Sequence, residues 1–563
     1  MAESQNTIVL KFGGSVLLNE QRLNLAVHEI YRWRREGYRV LAVVSALAGE
    51  TESLIEQAQR IAPDASASSV AALIGHGESK SAALLGLLLD RCGQTARVHA
   101  PAALRLICTG DGLDTHPSSV DTEPLLRSLG GDTIAIVPGF VGIDGHTRAV
   151  TLGRGGSDST AVFLAGAIGA ERCRLIKDVD GLYESDPARN PHARRYTHAS
   201  YNDALRTDGT IIQHKSLDLA RTLGVQIELG RFNAVSPTVI GTPHSQLTES
   251  RDHPPRLRIA LCGLGTVGAG LVELLEPLRE HYEITGASCR SPHKHADLAP
   301  LVGAIDRDPV ALAQGDADVL VEVIGGIDLP RRIVETAIRS GKHVITANKA
   351  LIAEHGEHLR NLARQRGVRL LYAASVGGGL PVLERLRGQE VVSVRGILNA
   401  TSHFVLHAIS QGMNLESAIQ HAQRLGYAEA DPSRDLDGRD ALDKLRVIAH
   451  VLGWQGYEIE PPTCDPTRAN PGEGRCTQIA HISPLQARVR LQRLDADSPY
   501  ATLDPAENLV EIELLDGHRI TVSGKSAGRY PTSESVLSDL LELSRTLATQ
   551  TAPITSPEEH AHV

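Results

Sequence analysis

The residues best suited to phosphate chemistry are Lys11 and the two glycines that follow it, Gly13 and Gly14. They come directly after the apolar run Ile8 to Leu10, which is typical of a buried strand. A strand that turns through glycine into a helix presents bare backbone N–H groups to an anion, and a lysine ammonium adds positive charge. This stretch therefore predicts a polyphosphate site, although Gly-Gly after a strand is also common in plain turns.

Arg154 and Asp158 form a second candidate, because they lie in a glycine-rich segment, residues 151–160. The glycines leave no side-chain bulk to shield the two charges. An arginine placed in this way can bind a carboxylate through two parallel hydrogen bonds. The alternative is a tight turn with solvated charges.

Three further segments, residues 43–51, 76–79 and 177–187, complete a set that resembles the amino-acid-kinase family, aspartokinase in particular. The resemblance covers about residues 7–242 and implies ATP, Mg²⁺ bound with the nucleotide, and an amino-acid substrate. Phosphoryl transfer of this kind depends on positioning and charge neutralisation more than on covalent help. The resemblance assigns Lys11, Gly13, Gly14 and Ser45 to the phosphoryl group, Thr51, Glu78 and Arg154 to the amino acid, and Asp158 and Asp178 to the phosphates, Mg²⁺ and nucleotide.

Two positions depart from the kinase pattern. Lys177 stands where aspartokinases usually have threonine, and Ile211 stands where they have a nucleotide-facing lysine. Either Lys177 substitutes as a nucleotide-binding residue, or the nucleotide site is weakened or used differently.

In the second half, Gly263-x-Gly265-x-x-Gly268 follows the apolar run 258–262 and precedes a helical pattern over residues 269–278. In that context the glycines predict a dinucleotide-binding turn. The cofactor-binding residues expected in this half are Gly263, Gly265, Thr266, Val267, Gly268, Arg290, Lys294, Gly325 and Asn348.

The next predicted strand, Tyr282 to Ser288, ends without an acid that could accept hydrogen bonds from the ribose hydroxyls. Arg290 and Lys294 follow it and suit a 2′-phosphate, so the sequence favours NADP(H) over NAD(H). Glu283 is near the usual spacing for a ribose acid, but we place it at the start of the strand as a solvated charge.

Lys349 follows another predicted strand, at the sheet edge where open α/β sheets bind ligands. Asp440 and Lys444 are i, i+4 neighbours on a predicted helix, a spacing that is also common in surface salt bridges. Together with Glu429 and with segments 375–381 and 523–532, these residues resemble homoserine dehydrogenase over essentially the whole span 256–546.

That resemblance gives Lys349 and Lys444 proton transfer at the substrate oxygen, while Glu429 and Asp440 bind the substrate ammonium. Asn399 and Thr401 are further substrate-binding positions. Hydride delivery to an aldehyde requires a cation or an acid near the developing alkoxide. No metal is expected in this half.

Three residues depart from the dehydrogenase pattern: Ala373, Ala400 and His403. Ala373 removes a carboxylate that would ligate a structural monovalent cation in the family. Ala400 and His403 alter what we expect to be a loop at the substrate and nicotinamide.

The predicted strands and helices that position these residues indicate an α/β fold. It consists of an amino-acid-kinase-like parallel-sheet domain, followed by a Rossmann dinucleotide-binding domain with an α+β substrate domain. The expected divisions are a kinase domain at 1–244, a linker at 245–255, a Rossmann domain at 256–374, a substrate domain at 375–523, a C-terminal helix returning to the Rossmann domain at 524–548, and a disordered tail at 549–563.

Composition supports small-molecule chemistry. The net charge of −10 offers no basic stripe for a nucleic acid, no run reaches 18 apolar residues, and the seven cysteines include no C-x-x-C pair. We therefore expect a cytoplasmic protein with small-molecule substrates, no nucleic-acid or membrane partner, and a homo-oligomeric state, either dimer or tetramer.

The order of the two halves resembles fused aspartokinase–homoserine dehydrogenases, which also carry regulatory ACT domains between them. The stretch between Gly241 and Arg256 is too short for such a domain. The first hypothesis is a bifunctional enzyme without that feedback control. The second is a reductase with a non-catalytic kinase-fold module, and the third is an enzyme acting on another amino acid or semialdehyde.

Overall fold

The structure is a computed structural model that describes residues 6–249, 256–469, 475–526 and 528–551. The strands of the N-terminal half are β1 (Thr7–Phe12), β2 (Arg39–Val44), β3 (Ala96–Val98), β4 (Ile107–Asp111), β5 (Asp114–Ser119), β6 (Ile134–Pro138), β7 (Val141–Ile143), β8 (Ala149–Thr151), β9 (Arg172–Ile176), β10 (Arg195–Ala199), β11 (Ile227–Gly230), β12 (Thr238–Ile240) and β13 (Gln246–Thr248). Its helices are α1 (Leu23–Arg35), α2 (Glu50–Ile61), α3 (Ala67–Ile74), α4 (His76–Arg91), α5 (Glu123–Gly130), α6 (Gly156–Ile168), α7 (Tyr201–Ala204) and α8 (His214–Leu223).

Nine of these strands form one sheet in the order β13-β10-β12-β11-β9-β1-β2-β6-β3, and β5-β4-β7-β8 form a small second sheet. The central strands β9, β1, β2 and β6 are parallel, and helices cover both of their faces. Their continuous apolar runs follow from that burial on two sides.

The predicted linker needs correction, because Gln246–Thr248 is strand β13, paired antiparallel with β10 at the edge of the large sheet. Residues 250–255 lie outside the described residues. The N-terminal half therefore ends later than expected, and only residues 249–256 separate β13 from the first strand of the next domain.

The second domain has strands β14 (Leu257–Cys262), β15 (Tyr282–Ser288), β16 (Ala304–Asp306), β17 (Val319–Glu322), β18 (His343–Thr346) and β19 (Leu370–Leu371), and helices α9 (Thr266–Leu275), α10 (Ala299–Val302), α11 (Pro309–Gln314), α12 (Asp328–Arg339) and α13 (Lys349–Arg366). All its strands are parallel, in the order β16-β15-β14-β17-β18-β19. This is the strand order of a Rossmann domain, with its ligand crevice at the carboxyl ends of the strands.

The remaining elements are α14 (Val382–Leu386), β20 (Val391–Gly396), α15 (Ala400–Ser410), α16 (Leu415–Arg424), α17 (Ser433–Leu436), α18 (Arg439–Leu452), β21 (Glu458–Ile459), β22 (Cys476–Ile482), β23 (Gln486–Arg493), β24 (Glu507–Leu514), β25 (Arg519–Lys525) and α19 (Arg529–Thr551). The strands form a mixed sheet in the order β21-β23-β22-β20-β24-β25, and α18 packs on one face of it. Helix α19 packs on α9. It reaches Thr551, so residues 549–551 are helical rather than part of the predicted tail, and residues 552–563 lie outside the described residues.

One continuous apolar core joins the two halves. It contains buried side chains of α1 and α4 together with side chains of α9 and α19. Polar contacts reinforce it: Nδ1 of the fully buried His28 lies 2.7 and 2.8 Å from the carboxylate oxygens of Glu534. Within the described residues, no helix has the length and hydropathy needed to span a membrane.

Candidate functional site

The first candidate site is a cavity of about 470 Å³ at the carboxyl ends of β1, β2 and β9. Because these strands are adjacent and parallel, Lys11, Ser45 and Lys177 are brought to one edge of the sheet. This is the edge at which open α/β sheets bind ligands. The residues assigned from sequence that line the cavity are Lys11, Gly13, Gly14, Ser45, Thr51, Glu78, Arg154, Asp158 and Lys177.

Two lysines share one buried carboxylate at the floor of this cavity. Lys11 Nζ lies 2.6 Å from Asp158 Oδ1, and Lys177 Nζ lies 2.7 Å from Asp158 Oδ2. Burial lowers the pKa of Lys11 to about 8, even though Asp158 opposes the shift. Burial by itself would raise the pKa of Asp158, but Lys11 and Lys177 lower it to about 2. The cluster carries a net positive charge, suited to an anionic phosphoryl group.

The lining of the cavity also includes Glu78, in the first turn of α4, and the exposed Arg154. Burial raises the pKa of Glu78 to about 7. Asp178 is placed differently, since it lines a neighbouring cavity and accepts a hydrogen bond of 3.0 Å from Ser15 Oγ. Ser15 and Lys177 line both cavities, so Asp178 lies at their boundary.

Ile211 is among the residues that line the same cavity, so this departing position lies at the site. The nearby Lys215 does not replace the missing ammonium. Its Nζ lies 2.9 Å from Asp114 Oδ1 and also donates to the Leu152 carbonyl. Lys177 is therefore the second ammonium group of this cavity.

The second candidate site begins with the dinucleotide turn between β14 and α9. Gly263 has a φ of +110°, and a Cβ at Gly268 would lie 2.0 Å from the Gly263 carbonyl oxygen, so both positions require glycine. Nothing lies within 4 Å of a Cβ at Gly265, the residue that precedes α9, and Thr266 is exposed beside it. The open backbone at a helix N-terminus fits a pyrophosphate.

Beyond β15, Arg290 and Lys294 are both exposed. Glu283 lies at the opposite end of that strand, where its carboxylate pairs with Arg256 at 3.1 Å. Ser288, at the end of β15, is buried and is paired in register with Asp306 at the end of β16. Asp306 uses its own Oδ1 to accept hydrogen bonds from the two backbone amides that follow it.

The third group is a Lys–Asp–Lys cluster that joins α13 to α18. Lys349 Nζ lies 2.7 Å from Asp440 Oδ1, and Lys444 Nζ lies 2.8 Å from Asp440 Oδ2. Lys444 also donates to the Leu398 carbonyl at 2.5 Å. Asp440 raises the pKa of Lys349, and although burial works against it, the two lysines hold the pKa of Asp440 well below its usual range. The Asp440–Lys444 pair is therefore part of a larger, mostly buried network and is not a solvated surface salt bridge.

Asn399 is the N-cap of α15, and its side chain connects this cluster to Asp435. Its Nδ2 donates to Asp440 Oδ2 at 2.7 Å and to Asp435 Oδ1 at 2.6 Å. Burial, together with the charge of Asp440, raises the pKa of Asp435. We did not select Asp435 from the sequence, although its spacing of five residues from Asp440 within one acidic segment was a usable signal.

Glu322 is a second residue that the sequence analysis missed. It is fully buried at the end of β17, where it accepts from Thr346 Oγ1 at 2.6 Å and from the Ile324 amide at 2.8 Å. Asn348, the N-cap of α13, donates from its side chain to the Gly326 carbonyl at 2.7 Å. Glu322 and Asn348 thus fix the loop that contains Gly325 beside Lys349.

Other predicted substrate residues lie apart from the cluster. Glu429 is exposed, and its carboxylate makes no hydrogen bond or ion pair with Lys349, Asp440 or Lys444 within the described residues. Thr401 donates to the Tyr427 carbonyl at 2.6 Å. The substrate roles of Glu429 and Thr401 stay predictions.

The expected loop at Ala400 and His403 is instead the first turn of α15. His403 is fully buried, with Nδ1 2.9 Å from Thr477 Oγ1, and burial lowers its pKa to about 3. Its ring therefore packs toward β22. Ala373 is also buried, and its amide donates to Asp539 at 3.1 Å.

Three family models match successive parts of the chain: the amino acid kinase family at residues 6–227, the homoserine dehydrogenase NAD-binding domain at 263–373, and homoserine dehydrogenase at 381–541. Homoserine dehydrogenase from Synechocystis sp. is 33% identical over 318 residues, which are 51% of this chain and 73% of that protein. The enzyme from Corynebacterium glutamicum is 32% identical over 320 residues, 51% of this chain and 72% of that protein.

A solved structure of a putative homoserine dehydrogenase from Archaeoglobus fulgidus is 30% identical, with a TM-score of 0.46, and covers 51% of this chain and 99% of that one. The chain belongs to the homoserine dehydrogenase family and carries an amino acid kinase domain in front of the NAD-binding and dehydrogenase domains.

Proposed function

We propose that the chain is a bifunctional enzyme of the aspartate pathway. Its N-terminal half phosphorylates L-aspartate with ATP, and its C-terminal half reduces aspartate semialdehyde to homoserine with NADPH. The observation that carries the proposal is the pair of clusters in which two lysines share one buried aspartate, Lys11–Asp158–Lys177 and Lys349–Asp440–Lys444, each at the carboxyl edge of its own sheet or beside it.

In the kinase half, Lys11 and Lys177 supply positive charge next to the amides of the Gly13–Gly14 turn. Such groups stabilise charge on a transferred phosphoryl group without moving during the reaction. Asp158 keeps both lysines in place. Mg²⁺ in such sites is held by one or two carboxylates plus the nucleotide phosphates, and Asp178, whose Oδ1 accepts from Ser15 Oγ, is a carboxylate that would hold it.

In the dehydrogenase half, NADPH supplies the hydride. Lys349 and Lys444 hold positive charge and exchangeable protons where the substrate carbonyl oxygen becomes an alcohol oxygen. Lys349 is the more available donor, because its side chain is 38% exposed against 14% for Lys444. Asp440 and Asn399 orient the two ammonium groups, and Asp435 adds a second carboxylate for a substrate ammonium.

The preference for NADPH rests on Arg290 and Lys294, two exposed cations after β15 with no ion pair within the described residues. Asp306, at the end of the neighbouring strand, favours NADH instead. A relative from Pseudomonas canavaninivorans, 36% identical over 227 residues (37% of this chain and 64% of that protein), is named an NAD(+)-dependent homoserine dehydrogenase. Comparing kcat/KM for NADPH and NADH decides between the two cofactors.

The test of both activities uses the purified full chain with two variants. Lys11→Ala is expected to abolish aspartate-dependent ATP turnover while leaving NADPH oxidation by aspartate semialdehyde intact. Lys444→Ala is expected to do the reverse. Absence from the parent of either aspartate-dependent ATP turnover or NADPH oxidation by aspartate semialdehyde would contradict the bifunctional assignment.

A second candidate function keeps the reductase and makes the kinase fold a non-catalytic module. The observations that favour it are Ile211 in the cavity wall and the shared core of the two halves. It predicts no ATP turnover with aspartate, and a reductase that loses stability when the N-terminal half is perturbed. The third hypothesis, activity on another amino acid or semialdehyde, rests on departures from the dehydrogenase pattern that include His403. It has less support, because the His403 ring packs toward β22.

A further inference from the structure

A large cavity of about 700 Å³ lies at the boundary between the two halves. The kinase half contributes the end of α1, the start of β2 and the turn at Gly131 and Asp132. The dehydrogenase half contributes α14, β24 and β25. Its lining shares no residue with the Lys11 cavity, so it is a separate site.

The lining is strongly basic, with six arginines against three carboxylates. Four of the arginines have carboxylate partners: Arg34 with Asp132 at 2.5 Å, Arg35 with Glu384 at 2.7 Å, Arg387 with Glu542 at 2.9 Å, and Arg519 with Glu511 at 3.0 Å. The other two, Arg39 and Arg385, have no ion pair or side-chain hydrogen bond within the described part of the chain. The buried Nη1 of Arg35 also has no hydrogen-bond partner there.

Arg385 extends from α14 across the boundary to the kinase half. Its Nη1 would lie 2.6 Å from a Cβ at Gly37, which has a φ of +94°. Burial lowers the pKa of Arg385, and the charges of Arg34 and Arg39 lower it further, while Asp132 opposes the shift. Burial also lowers the pKa of Arg39, again against Asp132.

Arg34, Arg39 and Arg385 thus line one cavity together with the carboxylate of Asp132, which is already paired with Arg34. Arg39 and Arg385 are therefore two cations of this cavity that form no ion pair with any described residue. A guanidinium presents its N–H groups as a planar fork that matches carboxylate and phosphate oxygens.

We propose that this cavity binds a small dianion, a phosphate monoester or a dicarboxylate, between Arg39 of the kinase half and Arg385 of the dehydrogenase half. A ligand held by one residue from each half stabilises their present arrangement. A dianion in this cavity therefore contacts both halves of the chain.

The experiment is a calorimetric titration of the full chain with inorganic phosphate and, separately, with succinate. Ionic strength is kept constant with chloride because exposed charges are screened by salt. Saturating NADP⁺ and MgADP are present so that the nucleotide sites are occupied. The variants are Arg385→Ala, Arg385→Lys and a matched control, Arg519→Ala, whose arginine lines the same cavity but is paired with Glu511.

We expect saturable binding of at least one anion to the parent, at least tenfold weaker in Arg385→Ala, intermediate in Arg385→Lys, and within threefold of the parent in Arg519→Ala. Without anion, Arg385→Ala is expected to melt at a higher temperature than the parent, because a repulsive charge is gone. Tighter binding of phosphate or of succinate identifies the ligand class. No saturable binding of either anion overturns the proposal, as does an Arg385→Ala variant within threefold of the parent or equal losses in Arg385→Ala and Arg519→Ala.

Discussion

Replacing Lys444 by alanine tests the catalytic reading of the Lys–Asp–Lys cluster most directly. The substitution removes one ammonium but leaves Asp440 with Lys349 at 2.7 Å and Asn399 at 2.7 Å, so the buried carboxylate keeps two partners. The cost in stability is therefore that of two charge-assisted contacts, to Asp440 and to the Leu398 carbonyl, each worth about 1.5–3 kcal/mol.

The substitution is also expected to lower turnover. A cation that stabilises an alkoxide only in the transition state contributes a factor of about 10² or more, equivalent to roughly 2.7 kcal/mol. NADPH affinity should hardly change, because Lys444 lies on α18 and the cofactor turn is at Gly263 to Gly268. The result to expect is a kcat lower by at least a hundredfold with a nearly unchanged Kd for NADPH.

The assay is steady-state NADPH oxidation by aspartate semialdehyde, with folding checked by the thermal midpoint. Arg446→Ala is the matched control, since Arg446 pairs with Asp443 at 3.0 Å on the same helix and does not contact the cluster. Turnover of Lys444→Ala within threefold of the parent would refute a catalytic role. Equal losses in Lys444→Ala and Arg446→Ala would show that the damage is to α18 as a whole.

Four further outcomes are expected. Arg290→Asp should lower the NADPH/NADH ratio of kcat/KM by a factor of roughly 10 or more, because a charge-assisted hydrogen bond is worth about 1.5–3 kcal/mol, and an unchanged ratio would remove Arg290 from the cofactor site. Homoserine oxidation needs a neutral amine, so its rate should rise with pH, and Asp440→Asn should move that rise to lower pH because Asp440 is the main cause of the raised pKa of Lys349. A pH–rate profile checks this. Kinase kcat/KM should fall above about pH 8 as Lys11 loses its proton, and because the pKa of Lys11 is lower in the folded chain than the ~10.4 of an unfolded one, its contribution to folding stability should rise with pH between those values. Reductase activity should be indifferent to exchange of Na⁺ for K⁺ at constant ionic strength, because Ala373 offers no carboxylate and the nearby Asp539 is paired with Arg35 at 2.6 Å.

The sequence predicted the elements whose burial leaves a plain pattern. Continuous apolar runs predict the parallel strands at Val40–Val44 and His343–Thr346, and the glycine spacing predicts the turn before α9. The i, i+4 spacing places Asp440 and Lys444 on one face, but it could not show that Lys349 reaches the same carboxylate from α13, since that contact needs the tertiary fold.

Elements stabilised mainly by their neighbours were not predictable. Strands β4 and β5 contain Gly110, Pro117 and several polar residues, so their composition gives little strand signal, yet they pair antiparallel. Glu322 reads as the polar end of an apolar run, and only the structure shows that it is buried and holds the loop at Gly325. The unpaired Arg385 likewise has no signal in sequence, because its environment comes from the other half of the chain.

The contacts between the halves argue that the kinase domain is an integral part of the dehydrogenase fold. At its N-terminal end α4 carries Glu78, in the kinase cavity. After its C-terminal end, the Gly93 carbonyl accepts from the Lys525 amide at 3.0 Å, and Gln94 donates to the Gly379 carbonyl at 2.7 Å. A Cβ at Gly93 would lie 2.2 Å from the Lys525 carbonyl oxygen, so the close approach depends on glycine. Through α4, the wall of the kinase cavity is fixed to the glycine loop that opens the substrate domain, and movement at one end must be accommodated at the other.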